Sequence, residues 1–105
     1  MIPILYNIEA FDANNPKTFQ FIWNGNQSFG NRLYIYENGT KLVYSKPDTT
    51  MQLKHTLPAN TLVNGVSYTA KVIVIDIDGT ESELSDPILF SCFTTPTFTF
   101  DNIFH

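Results

Sequence analysis

Cysteine is nearly absent from the 105-residue sequence: Cys92 stands alone, which excludes an intrachain disulfide framework. It lies in the apolar run Ile88–Phe93, where an unpaired cysteine serves as a small buried hydrophobe rather than a reactive thiol. Basic residues are scarce too, one Arg and five Lys against ten acids, for a net charge of −4. Nucleic acids and anionic membrane surfaces are bound through clustered cations, so neither is an expected partner. No apolar stretch approaches the ~20 residues of a bilayer span, so no membrane insertion is expected. The opening MIPILYNIEAF lacks a basic n-region and a small-residue cleavage site, and does not read as a signal peptide. Apolar stripes at helical spacing are missing, so no helix is needed.

What the chain does have is aromatic bulk. Nine Phe and five Tyr can each bury roughly 150–250 Å², enough for one core without covalent staples. Short apolar runs of period two are broken about every 8–12 residues by Asn, Gly, Pro and Asp, the pattern of an all-β sandwich or barrel. Seven strands are predicted, over 4–11, 18–23, 32–37, 41–45, 51–57, 68–75 and 87–93, with 24–31 as a polar loop. Asn38-Gly39 between the third and fourth is a hairpin signal, because a type I′ turn needs positive φ at both central positions. The domain is expected to cover 1–94, with 95–105 a linker or the start of a following domain.

Chemistry is hard to find. Five of the ten acids lie between Asp76 and Asp86, but Asp76-Ile77-Asp78-Gly79 places its glycine too early for an EF-hand-type calcium loop. A solvated hairpin, with Gly79 supplying positive φ, is the better reading. The two histidines, His55 and His105, adjoin no nucleophile motif, and His55 continues the alternation of Met51 and Leu53 as a strand residue. Phosphate-binding loops, nucleophile elbows and metal-ligand clusters are absent from the sequence. No catalytic, cofactor or metal site is expected, and the chain does not read as an enzyme. A candidate interaction surface is read instead. Tyr34, Tyr36 and Tyr44 project from one sheet if Leu33 and Ile35 face the core. Ile73 and Ile75 oppose the inward face of their strand, and Phe98 and Phe100 continue an apolar alternation beyond the last strand.

The ordered set of these residues resembles a fibronectin type III domain. Trp23 ends the second strand, where that family places a core tryptophan. Leu62, six residues before Tyr68, matches its Leu…Tyr pair, and Tyr68-x-Ala70-x-Val72-x-Val74 matches its alternating inward face. Gly79, Glu81-Ser82 and Ser85-Asp86-Pro87 resemble the run leading into its final strand. The resemblance implies an immunoglobulin-like, seven-stranded antiparallel β-sandwich, with the Tyr68 hydroxyl bonded to upstream backbone. In adhesive members, the loop occupied here by Asp76–Gly79 carries Arg-Gly-Asp; that tripeptide is not present.

Such modules occur in animal receptors, in bacterial polysaccharide-degrading enzymes and in bacteriophage tails. The start Met1–Tyr6 is similar to that of tail-tip proteins, and the excess of Lys, Asn, Ile and Phe suggests an AT-rich genome. The expectation is a spacer or docking module of a phage or prophage tail protein, assembled in the bacterial cytoplasm and located in the virion. Its expected partners are neighbouring modules of the same or another tail subunit. The alternative is an extracellular or cell-surface adhesin domain binding cell-surface glycan, or a module appended to a secreted hydrolase.

Overall fold

A computed structural model describes residues 2–93. Seven strands form in chain order: β1 (Ile4–Leu5), β2 (Lys17–Ile22), β3 (Ser28–Glu37), β4 (Lys41–Asp48), β5 (Lys54–Leu57), β6 (Ser67–Asp76) and β7 (Ile88–Ser91). They make two antiparallel sheets, ordered β1-β2-β5 and β4-β3-β6-β7. The inner faces meet in one core. Leu5, Phe19, Phe21 and Leu57 come from the smaller sheet, and Leu33, Ile35, Tyr68, Ala70, Val72, Val74 and Phe90 from the larger. Alternation sets these faces, since successive strand residues point to opposite sides.

The strand count expected from the pattern holds, but several boundaries move for physical reasons. The run 4–11 is not one strand: Ile4–Leu5 pairs with β2, and then Phe11 forms a parallel bridge to Cys92 of the other sheet. The segment changes sheets, and Phe11 lands stacked on Phe90 with ring centroids 5.7 Å apart. Met51–Leu53 is likewise outside β5, because 49–53 carries the chain from the larger sheet to the smaller. The supposed polar loop 24–31 ends early, and β3 starts at Ser28. A register shift between Ser28 and Gly30 turns Ser28 and Asn31 inward and leaves Phe29 exposed. The bulge inverts the polar–apolar alternation, which hides the strand from a pattern search.

The turns behave as their residues require. Asn38 (φ 55°) and Gly39 (φ 77°) both take positive φ, and the Thr40 N–H donates to the Glu37 carbonyl at 3.2 Å. Trp23 lies just beyond β2 and packs against the core, but it is only half-buried, and its Nε1–H donates to the Asn26 carbonyl. The core centre is held by Phe19 and Phe21 instead.

The Glu81-Ser82…Ser85 run acquires a physical meaning. The Val74 N–H donates to Ser82 Oγ and the Ser82 N–H returns to the Val74 carbonyl, at 2.9 and 2.8 Å. Ser85 repeats the exchange with Val72, at 2.9 Å in both directions. Each hydroxyl replaces a missing ladder carbonyl, so this arm follows β6 without being a regular strand. Ser85 is buried, and Ser85→Ala would leave the Val72 N–H unsatisfied. A loss of about 1–3 kcal/mol is expected in urea denaturation, with the slope of the transition unchanged.

Candidate interaction surface

The outer face of the larger sheet is set by the same register that builds the core. Leu33 and Ile35 point inward, so Arg32, Tyr34 and Tyr36 of β3 point outward. Tyr36 lies opposite Leu42 of β4 on one side and Thr69 of β6 on the other, and Thr69 lies opposite Leu89 of β7. A single row, Leu42–Tyr36–Thr69–Leu89, therefore crosses all four strands. Its two ends are open to solvent, Leu42 at 50% exposure and Leu89 at 79%. Beside Leu89 is a shallow pocket of about 150 Å³, lined by Asn38, Gly39, Ser67, Tyr68 and Thr69. Cations flank the row. The Lys71 ammonium sits over the Tyr36 ring at 5.4 Å from its centroid, and Arg32 donates to the Ser45 carbonyl and hydroxyl at 3.2 and 3.0 Å.

Not every residue read as surface lies on it. Tyr34 and Tyr36 do, half-buried among their neighbours. Tyr44 does not: its register partner is Ile35, so it faces the core, and its hydroxyl meets His55 at 2.8 Å. A bulge between Ile35 and Tyr36 shifts β4 by one residue and brings Leu42, not an alternating tyrosine, onto the outer face. Ile73 faces outward but is buried, placed between Arg32 and the Glu83–Leu84 segment of the serine arm. Ile75 is half-buried beside Gly30 and Glu81. Phe98 and Phe100 lie outside the described residues. Leu42 and Leu89 were not singled out from the sequence, because only the strand register shows that they flank Tyr36.

The hairpin at Asp76–Gly79 is held by its own first residue. Asp76 Oδ1 accepts from the N–H groups of Asp78 and Thr80 at 2.9 and 3.0 Å, and Oδ2 accepts from Asn26 Nδ2 at 3.3 Å. The Thr80 amide, helped by Asn26 and Asp78 and opposed by burial, holds this carboxyl below the usual carboxylate range. Both oxygens are thus engaged, Oδ1 within the turn and Oδ2 by Asn26, and Gly79 takes φ 83°. Asp12 is held low in the same way, by Asn64 first and the Asn14 amide second, at the opposite end of the sandwich. Cys92 is buried, and desolvation pushes its thiol up, away from the reactive thiolate.

The sequence matches no family model and no curated protein. Solved structures do match. An Fn3-like protein from Clostridium thermocellum superposes with a TM-score of 0.64 at 11% identity, covering 91% of this chain and 96% of that one. The fold is a fibronectin type III-like β-sandwich. A second match, described as a myokine structure, gives a TM-score of 0.71 at 18% identity over 89% of this chain and 97% of the other. A β-1,2-glucanase from Parabacteroides distasonis gives 0.68 at 16% identity. That match covers 90% of this chain but only 13% of the glucanase, so the sandwich corresponds to a small part of a much longer protein.

Proposed function

We propose that this fibronectin type III-like sandwich is a non-catalytic docking and spacing module, and that it meets a neighbouring protein module through the outer face of its larger sheet. The row Leu42–Tyr36–Thr69–Leu89, with Lys71 and Arg32 beside it, is the observation that carries the reading. An apolar centre with a cationic shoulder fits a partner that is apolar in the middle and acidic at its edge. The serine arm of a like module has that character, since Ile77 and Leu84 are exposed among Asp78, Glu81, Glu83 and Asp86. Like modules would then stack head to tail, a heterologous contact that repeats along a line.

Domain limits of 1–94, with 95–105 leading into a further module, belong to the same proposal. A phage or prophage tail is the assembly proposed, with the module located in the virion. Its support is the similarity of Met1–Tyr6 to the start of tail-tip proteins and, from composition, the ratio of five Lys to one Arg. Sedimentation of the chain across a concentration series tests the docking. Association that weakens with salt and is lost in Leu89→Glu, at unchanged melting temperature, is expected. A monomer at every concentration, insensitive to Leu89→Glu, would overturn it.

The second reading, an adhesin domain or a module appended to a secreted hydrolase, is favoured by the glucanase match. It predicts glycan stacking on tyrosine. Lys71 already occupies one face of Tyr36, which leaves that ring poorly placed for a sugar. Titration with β-glucan oligosaccharides, read by tyrosine fluorescence, separates the two readings.

A further inference from the structure

Three polar side chains from three strands meet inside the core. Asn31 of β3 is fully buried, His55 of β5 is 2% exposed, and Tyr44 of β4 is 9% exposed. Their hydrogen bonds can be oriented by elimination. The Lys54 carbonyl can only accept, so Asn31 turns its Nδ2 to it, at 3.0 Å. Asn31 Oδ1 then faces His55 Nδ1 at 2.7 Å, so that nitrogen must carry the proton. In a neutral ring Nε2 is left as an acceptor, and the Tyr44 hydroxyl donates to it at 2.8 Å. The chain runs in this one direction, Tyr44→His55→Asn31→Lys54, with the tyrosine hydrogen satisfied, only when the imidazole is uncharged.

We propose that this chain is a pH-gated latch between the two sheets: neutral His55 holds the edge strand β5 to the larger sheet, and protonation releases it. β5 has four residues and, among the described residues, is paired within its sheet only to β2. Among the described residues, the Asn31 and Tyr44 bonds are its side-chain polar links to the opposite sheet. A second proton would sit on Nε2 and reverse this bond: the Tyr44 oxygen would accept, and the hydroxyl hydrogen would turn away from its one acceptor among the described residues.

The surroundings offer the cation little. Phe19 lies opposite His55 on β2 and Val74 opposite Asn31 on β6, both apolar. The Lys54 side chain is exposed on the other face of β5. Among the described residues the charge acting on the ring is Asp48 of β4, opposite Asn31; its carboxylate favours protonation, but burial outweighs it and holds His55 below its ordinary value of 6.5. Because the folded value is depressed, the stabilisation is fully present above about pH 6.5. It is lost as pH falls toward the folded value, where the unfolded chain takes up the proton first. Burial, with Asp48 second, raises the Tyr44 hydroxyl, so it stays a donor throughout that window.

Long-range proton–nitrogen NMR on the full chain reads the latch directly, with His105→Ala assigning the second histidine. Expected are an Nδ1–H tautomer for His55 at about pH 7.5, a titration displaced to acid, and faster intrinsic-rate-corrected amide exchange in β5 at about pH 5.5 than at pH 7.5. Melting temperature between those two values should fall by roughly 4–8 °C more in the unaltered protein than in His55→Gln. An Nε2–H tautomer, an ordinary titration, or β5 exchange that does not change with pH would overturn the proposal. The same holds if the two melting curves move in parallel. If His55→Gln does not fold, the tautomer and exchange measurements on the unaltered chain decide alone.

Discussion

Phe19→Ala is expected to remove about 3–5 kcal/mol of folding stability, the largest loss for any truncation within β2. The ring is 1% exposed and sits where the two sheets and the sheet-switching N-terminal segment converge. It meets Phe90 of β7 edge-to-face at 5.5 Å between centroids, and Phe11 edge-to-face at 6.3 Å. Truncation therefore opens a void shared by both sheets and the Phe11 segment, leaving the backbone little room to collapse into it. A sandwich of this size has roughly 5–15 kcal/mol in total, so the variant should melt far lower and unfold at much lower urea. The companion Phe19→Leu keeps most of the volume and should cost less than half as much. Equal losses in the two variants would mean that the void is not the cause.

How far such a core could be read from the sequence depends on the strand. In β2, Phe19 and Phe21 alternate with Thr18 and Gln20, and hydrophobic pattern and burial coincide. The same holds for Tyr68, Ala70, Val72 and Val74 of β6. Alternation fails as a guide where the register slips. The Ser28/Gly30 shift buries a serine and an asparagine, and the Ile35/Tyr36 shift puts Tyr44 inside and Leu42 outside. A period-two pattern has no memory of an inserted residue, so every position beyond a bulge is assigned to the wrong face. The tyrosines divide for that reason: Tyr34 and Tyr36 precede or border the slip and lie on the outer face, while Tyr44 follows it and lies inside. The latch was invisible for a related reason. Asn31, Tyr44 and His55 are far apart in sequence and come together only through the pairing of β3 with β4 and the packing of β5 beneath them.

Tyr68→Ala should rival Phe19→Ala, at about 3–5 kcal/mol, and Tyr68→Phe divides that loss into its causes. The Tyr68 ring stacks on Phe90 at 5.8 Å, a contact Phe retains. The hydroxyl accepts from the Val63 N–H at 2.9 Å and reaches the Val63 carbonyl at 3.5 Å, contacts Phe lacks. Tyr68→Phe is therefore expected to cost about 1–2 kcal/mol, with the rest attributable to ring burial. The bond does more than its energy suggests, because it clamps the connection that crosses from β5 to β6. Next along that connection, Asn64 exchanges bonds with the first β-turn, donating to Asp12 at 2.9 Å and accepting from the Ala13 N–H at 2.8 Å. The Gly65 N–H then donates to the Cys92 carbonyl at 2.7 Å, and the Phe93 N–H donates to the Phe11 carbonyl at 2.9 Å. The clamp thus fixes the direction in which the backbone passes Phe93. Under the proposed spacing role, that direction matters more than surplus stability. In Tyr68→Phe, faster exchange at the Gly65 and Phe93 amides than global unfolding permits would show that the clamp controls the exit. If those amides exchange only with global unfolding, the exit is held by the Asp12–Asn64 and Phe11–Phe93 bonds without help from the tyrosine.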